Sequence, residues 1–287
     1  MSPEARFQRI GVVAKLSSRE ALANAEELAE WLTRRGIDTV VEEATAHAAG
    51  LTSYPTFRAG EDCDLVVVLG GDGTLLSVAR RQAGGAPILG VNLGSLGFLT
   101  EIQRAELYPS LLEVFAGRYA IDERAVFDVS LERADGSRQL YRALNDAVIT
   151  KSALARIIDL HLRVDDRLVA RYRADGLILS TPTGSTAYNL SAGGPILQPQ
   201  LGVAVITPIC PHTLSLRPIV VPDTSLVEVS LETQSEKVYL TLDGQEGTEF
   251  AFRDRLRVTR CAEQVRLVRT SGRTFFDGLR GKLHWGE

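Results

Sequence analysis

Cysteine is scarce in this chain of 287 residues. Cys63, Cys210 and Cys261 stand far apart and are odd in number, so neither a disulfide framework nor a paired-cysteine zinc site is supported, and a reducing, cytoplasmic setting is expected. Lysine is nearly as scarce: of 32 basic residues only Lys15, Lys151, Lys237 and Lys282 are lysines, and the rest are arginine. Arginine must therefore make most side-chain contacts to phosphate, a task its planar fork suits, although a coding bias accounts for most of the excess. His47, His161, His212 and His284 show no metal-ligand spacing. Long apolar runs are missing too. The longest, 65–71, is far below the ~20 residues of a membrane span, and the charged start of the chain has no export signal. Nor is there a surplus of positive charge. A formal net charge of -4 and a pI near 5.7 argue against general affinity for nucleic acid or for an anionic membrane.

What is present is an ordinary globular composition, 45% hydrophobic and 24% charged, which excludes a chain disordered along its length. The length exceeds the roughly 100–200 residues of one domain and predicts two. The first half alternates strand and helix: strands at 9–15, 38–41, 65–69 and 87–91, and helices at 20–35 (N-capped by Ser17 or Ser18, closed by Gly36), 75–82 and 105–116, with 42–64 as a polar connection. That alternation predicts a parallel sheet with helices on its faces. From about Ile121 the pattern changes to short runs rich in Val, Ile, Leu and Thr, at 126–132, 141–150, 157–164, 168–172, 177–180, 203–207, 226–231 and 238–242, separated by turn signals such as Asp243-Gly244. No helix of ten residues is evident there, so the second half should be an all-β antiparallel sandwich. The predicted boundaries are 1–122 for the α/β domain, 123–272 for the all-β domain, and 273–287 for a tail returning to the first domain.

Three segments carry chemistry. In the first, a buried strand runs through Gly70-Gly71-Asp72-Gly73-Thr74 into a helix. Glycines let the backbone approach an anion, and the amides and positive end of a helix favour phosphate. A purely structural turn, with Asp72 or Thr74 capping the helix, stands beside that reading. Yet an uncompensated carboxylate would repel a polyphosphate, so Asp72 makes sense if it holds a metal or takes a proton. Neither a Walker loop nor the dinucleotide fingerprint is present at this turn. The second segment, 90–100, is again glycine-rich and offers Phe98 either to stack on a ring or to fill the core. The third, 180–195, is too rich in hydroxyls and glycine for a core and too apolar at its flanks for a linker; it suits either a ligand-binding loop or a self-satisfied bulged hairpin. No Gly-x-Ser-x-Gly elbow surrounds Ser185, which leaves a hydrolase triad without support.

Taken together, Gly70 to Thr74, Asn92 to Thr100, Leu144-Asn145-Asp146, Asp175-Gly176 with Ser180 to Pro195, and Leu242 to Gln245 resemble the NAD kinase family in order and spacing, over nearly the whole chain. The Gly-Gly-Asp-Gly turn alone is shared with lipid kinases and phosphofructokinases; the Thr-Pro-Thr-Gly-Ser-Thr-Ala-Tyr stretch is the more specific. The resemblance implies ATP-dependent phosphorylation of the 2'-hydroxyl on the adenosine side of NAD to give NADP. It makes Asp72 the proton acceptor and Gly70, Gly71, Gly73 and Thr74 the phosphate cradle. Asp72, Gly73, Phe98, Asn145, Asp146, Arg156, Arg173, Asp175, Thr186, Ala187, Tyr188, Asn189, Leu190, Ser191 and Gln245 would contact NAD. The family often has glutamate where Asp146 stands, and other basic residues where Arg156 stands. A divalent cation, magnesium, would come with ATP without a dedicated protein cage, and a homodimer or homotetramer built through the β domains is implied. A lipid or sugar kinase leaves the hydroxyl-rich loop without a purpose, and a non-catalytic NAD sensor does the same for the acid at 72.

Overall fold

The computed structural model of the chain describes residues 7–94, 97–213, 215–234, 236–270 and 272–284. Ser95 and Leu96 of the second glycine segment, and the two ends of the chain, lie outside the described residues. Two compact units are formed: Met1–Glu123 together with Val265–Glu287, and Arg124–Gln264. Among the described residues no helix is long and apolar enough to cross a membrane.

The first unit opens with β1 (Arg9–Ala14), α1 (Arg19–Thr33), β2 (Asp38–Glu42), α2 (Glu43–Ala49), β3 (Thr56–Phe57), β4 (Leu65–Gly70), α3 (Asp72–Ala79), β5 (Ile88–Asn92), β6 (Ile102–Gln103), α4 (Leu107–Phe115) and β7 (Ala120–Arg124). Ser18 caps α1, its hydroxyl accepting the Ala21 amide at 3.2 Å, and Ala21, Ala25, Leu28 and Leu32 bury one face of the helix against the sheet. Gly36, with φ +76°, ends that segment as expected. The connection predicted at 42–64 contains a helix instead. The Glu42 carboxylate receives the Thr45 amide at 2.9 Å and starts α2, while Gly50 (φ +71°) stops it, signals weaker in sequence than the polar composition around them. Every residue of β4 is buried, and β4 runs parallel between β1 and β5, which explains its unbroken apolar run. Since β1 also pairs in parallel with β2, the chain leaves β1 and β4 in opposite directions, and the carboxyl ends of these two strands flank the switch point where open α/β sheets bind ligands.

The second unit is all-β apart from short helical turns. It comprises β8 (Phe127–Glu132), β9 (Arg138–Ala143), β10 (Asp146–Lys151), β11 (Ile158–Val164), β12 (Arg167–Ala174), β13 (Gly176–Ser180), the four-residue α5 (Tyr188–Ser191), β14 (Val203–Ile209), β15 (Ile219–Pro222), β16 (Val227–Leu231), β17 (Val238–Leu242), β18 (Glu246–Glu249) and β19 (Arg255–Arg260). Two antiparallel sheets, ordered β15-β14-β13-β10-β17-β18 and β12-β11-β16-β19-β8-β9, bury one core that includes Phe127, Leu131, Leu160, Leu177, Leu240 and Phe250. The single strand predicted at 141–150 is two strands on different sheets, interrupted at Leu144-Asn145.

The chain then returns. Val265–Arg269 forms β20, parallel to β5 and placed between β5 and β7, and Phe275–Leu283 forms α6. Residues 265–269, assigned from sequence to the all-β domain, are therefore carried into the first sheet. The buried Val265, Leu267 and Val268 fit either kind of sheet equally well, so composition alone could not place them.

Candidate functional site

At the end of β4, Gly71 adopts extended backbone (φ -108°, ψ -173°) and acts as N-cap without a side chain, so α3 begins at Asp72 rather than at Leu75. The N-cap thus contributes no side-chain bond to the first turn of α3, where the Thr74 amide donates to the Gly71 carbonyl at 3.0 Å. Thr74 folds over Gly70, where a Cβ would lie 2.5 Å from its hydroxyl, which packs the glycine beneath the turn. Gly71, Gly73 and Thr74 line an open cavity of about 530 Å³ at the switch point, together with Lys15 and Leu16 at the end of β1, Glu42, and Arg81 beyond α3. Gly70 lies behind the turn and does not line the cavity. Lys15 and Arg81 are the basic side chains there. Sequence reading passed over both, since neither falls in a motif; the place of Lys15 just after the first strand of an α/β unit was the available signal.

Asp72 is gripped by the second glycine segment. Its Oδ1 accepts the amides of Leu99 (3.1 Å) and Thr100 (3.0 Å) and the Thr100 hydroxyl (2.9 Å); its Oδ2 accepts the Phe98 amide at 2.8 Å. A carboxylate offers about four lone-pair directions, so Oδ1 is saturated and Oδ2 is the oxygen left with capacity. The grip requires glycine at 97, because a Cβ there would collide with the carboxylate. Asn92 sets the segment in place, receiving the Gly94 amide at 2.7 Å and donating to the Thr100 hydroxyl at 2.9 Å. Phe98 is half-buried, and the Lys282 ammonium stands 4.7 Å from its ring centre. The same ammonium lies 3.5 Å from Asp72 Oδ2.

In the second unit, Asp243 organises the start of β10. This residue holds the left-handed conformation (φ +51°) in the turn after β17, and its carboxylate takes the amides of Leu144 (3.0 Å), Asn145 (2.7 Å) and Asp146 (3.0 Å). Those three bonds break the predicted strand and present Asn145 and Asp146 at the start of β10. Asp146 is only 3% exposed, and burial, then repulsion by Asp243, pushes its carboxyl up to about 7. Gln245 is exposed in the same turn, its amide donating to Leu242 at 2.9 Å.

The hydroxyl-rich loop follows β13. The Thr181 amide and the Ser180 hydroxyl both donate to the Asn145 carbonyl (2.9 and 3.2 Å), and the Thr181 hydroxyl reaches the Leu144 carbonyl at 2.6 Å, so loop and Asn145 are held together. Asn189 is fully buried: its amide donates to the Ser185 and Pro195 carbonyls and accepts the Thr207 hydroxyl at 2.6 Å. It shapes the loop from inside, whereas Thr186, Ala187, Tyr188, Leu190 and Ser191 retain exposed surface. Arg173 is exposed on β12, and Asp175 faces Lys151 at 3.6 Å. Arg156 is exposed in the irregular connection before β11 rather than on a strand. Among the described residues no three His, Cys, Asp or Glu side chains converge in a way that could hold a metal ion.

Comparison with known proteins bears on this arrangement. Residues 10–119 match the ATP-NAD kinase N-terminal domain and residues 144–270 the ATP-NAD kinase C-terminal domain. The sequence is 51% identical to an NAD kinase of Geotalea daltonii and 49% identical to one of Geobacter sulfurreducens, in both cases over 98% of this chain and 100% of the relative. The fold is similar to that of yeast NADH kinase complexed with NADH (TM-score 0.92, 25% identity, 99% of this chain and 89% of that one). It is also similar to an NAD kinase from Archaeoglobus fulgidus in complex with ATP (TM-score 0.74, 26% identity, 96% and 98%).

Proposed function

Because the chain belongs to the ATP-NAD kinase family and phosphorylates NAD with ATP, we propose that Asp72 Oδ2 accepts the 2'-hydroxyl proton of the adenosine ribose as the phosphoryl group arrives. The observation that carries this reading is the asymmetric grip on one carboxylate: three donors hold Oδ1, while Oδ2 takes the Phe98 amide and, at a longer 3.5 Å, the Lys282 ammonium, whose place a hydroxyl can take. Phosphoryl transfer asks a protein mainly to align two polyanions and to neutralise charge, so a rigidly held acceptor beside an anion cradle meets the demand.

ATP phosphates would meet the glycine turn of Gly71, Gly73 and Thr74 at the positive end of α3, with Gly70 supporting the turn from behind and Lys15 and Arg81 supplying positive charge. A divalent cation, magnesium, fits a donor set with one clamped carboxylate and no cage: it would be held by phosphates and water, and its chemistry is to neutralise the β and γ oxygens. NAD would be recognised by Asn145 and Asp146 and by Thr186, Ala187, Tyr188, Leu190 and Ser191 of the loop that Asn189 braces, with Gln245, Phe98, Arg156, Arg173 and Asp175 as further contacts. A carboxyl that titrates near neutrality can both accept from and donate to ribose hydroxyls. We place the reaction in the cytoplasm and the working enzyme as a homodimer or homotetramer, to be checked by sedimentation.

Replacing Asp72 by Asn tests the assignment. Turnover, read as NADP by a coupled dehydrogenase, should fall roughly 10²-fold to 10⁴-fold, the usual range for a lost general base, while NAD affinity changes far less. Near-normal turnover in a clean preparation would reject the role of Asp72.

A further inference from the structure

The C-terminal helix reaches the carboxylate to which the proton transfer is assigned. Lys282, near the end of α6, sits 3.5 Å from Asp72 Oδ2 and 4.7 Å from the centre of the Phe98 ring. Gly278, four residues earlier and on the same helical face, lies where a Cβ would be 3.6 Å from Phe98, so α6 packs closely on the segment that grips Asp72. That placement is built. Thr274 and Asp277 form a capping box at the start of α6. Arg273 pairs with Glu106 at 3.1 Å and donates to the Glu101 carbonyl, immediately after Thr100. Arg269, on β20, is 12% exposed and bridges Glu101 at 2.7 Å and Asp122 at 2.8 Å. Two anchors, Arg269 and Arg273, therefore tie the tail to Glu101 at the end of the 97–101 segment.

An exposed lysine–carboxylate pair contributes little stability, and with four lysines in the chain, one stationed on this carboxylate calls for a chemical reason. The turn has no lysine of its own of the kind that phosphate-binding loops use to neutralise transferring phosphate. We propose that Lys282 is a second catalytic residue of the transfer, an inference that rests on the assignment of Asp72 above. In the free protein the ammonium compensates Oδ2. When the ribose hydroxyl takes its place on Oδ2, the ammonium turns to the non-bridging oxygens of the incoming phosphoryl group, held over the Phe98 face by cation–π attraction. In the step itself, the bond from ribose oxygen to phosphorus forms and the bond from phosphorus to the β,γ-bridging oxygen breaks. ADP leaves with that electron pair, the hydroxyl proton passes to Asp72 Oδ2, and Lys282 keeps its three protons throughout.

The test compares K282M, K282R and D72N in the full chain by steady-state kinetics with ATP, magnesium and NAD, alongside calorimetric binding of a non-hydrolysable ATP analogue and thermal melts. K282M should lose about 10²-fold in kcat, the effect of removing one preorganised electrostatic partner, with KM for NAD within about threefold of wild type and an unchanged melt. K282R should recover at least a third of wild-type kcat, because a cation of similar reach restores the charge but not the shape. Wild-type kcat in K282M with D72N inactive would overturn the role of Lys282 alone. Equal losses in K282M and K282R would make the residue a packing element, and a faster K282M would make the tail a brake; either result sinks the proposal. An active D72N would remove the premise and the inference with it.

Discussion

Asp146 is kept as a buried acid at a cost in stability, and the cost can be measured. Its carboxyl is raised from the ordinary 3.8 to about 7 by burial and by Asp243. The folded chain therefore binds a proton more tightly than the unfolded chain, so the contribution of this group is fully favourable below about pH 4 and is lost as pH rises through 7. At about 1.4 kcal/mol per pH unit, wild type should lose about 3 kcal/mol from this group between pH 5 and pH 8. Asp146→Asn, which keeps the shape and cannot ionise, should lose none of that. In urea titrations followed by far-UV circular dichroism, the variant should gain on wild type by about 3 kcal/mol as pH moves from 5 to 8, other ionisations cancelling in the difference. Its KM for NAD should rise, because an amide is a weaker partner for ribose hydroxyls than a carboxylate. A stability difference that does not vary with pH would refute the argument, since it would mean that Asp146 ionises freely in the folded chain.

Gly97→Ala places a methyl group against the Asp72 carboxylate; we expect a turnover loss approaching that of Asp72→Asn with NAD binding retained, and a wild-type kcat would show that the segment yields without disturbing the acid. In the second unit Arg133 is a hub, pairing with Asp254 at 2.8 Å and donating to Thr248 at 2.9 Å, and Asp254 is 2% exposed. Arg133→Met should destabilise that unit by about 3 kcal/mol, because it takes the charged partner from a buried carboxylate and leaves it only the Ala134 and Ala251 amides, and a chemical denaturation midpoint within error of wild type would contradict this.

Much of the fold was legible wherever local rules dominate. The Ser18 cap, the buried run of β4 and the turn at Asp243-Gly244 follow from residues within a few positions of one another. What sequence reading missed was decided at a distance. The strand expected at 141–150 is broken by a carboxylate almost a hundred positions away, and nothing near Leu144 announces it. The strand at 265–269 belongs to the first unit because it pairs with β5, a partner far away in sequence. At the site, Asp72 was visible because an acid at an anion-binding turn contradicts simple electrostatics. Gly97 and Lys282 were not, since their significance lies in what the folded chain brings against that acid.

The position of β20 also orders the birth of the molecule. The second unit is one contiguous stretch and can be completed on the ribosome while the first still lacks an interior strand, so β7 has no neighbour to join it to β5 until the final residues emerge. A nascent chain, or one clipped before β20, would hold the glycine turn and its acid yet lack the strand that joins β7 to β5.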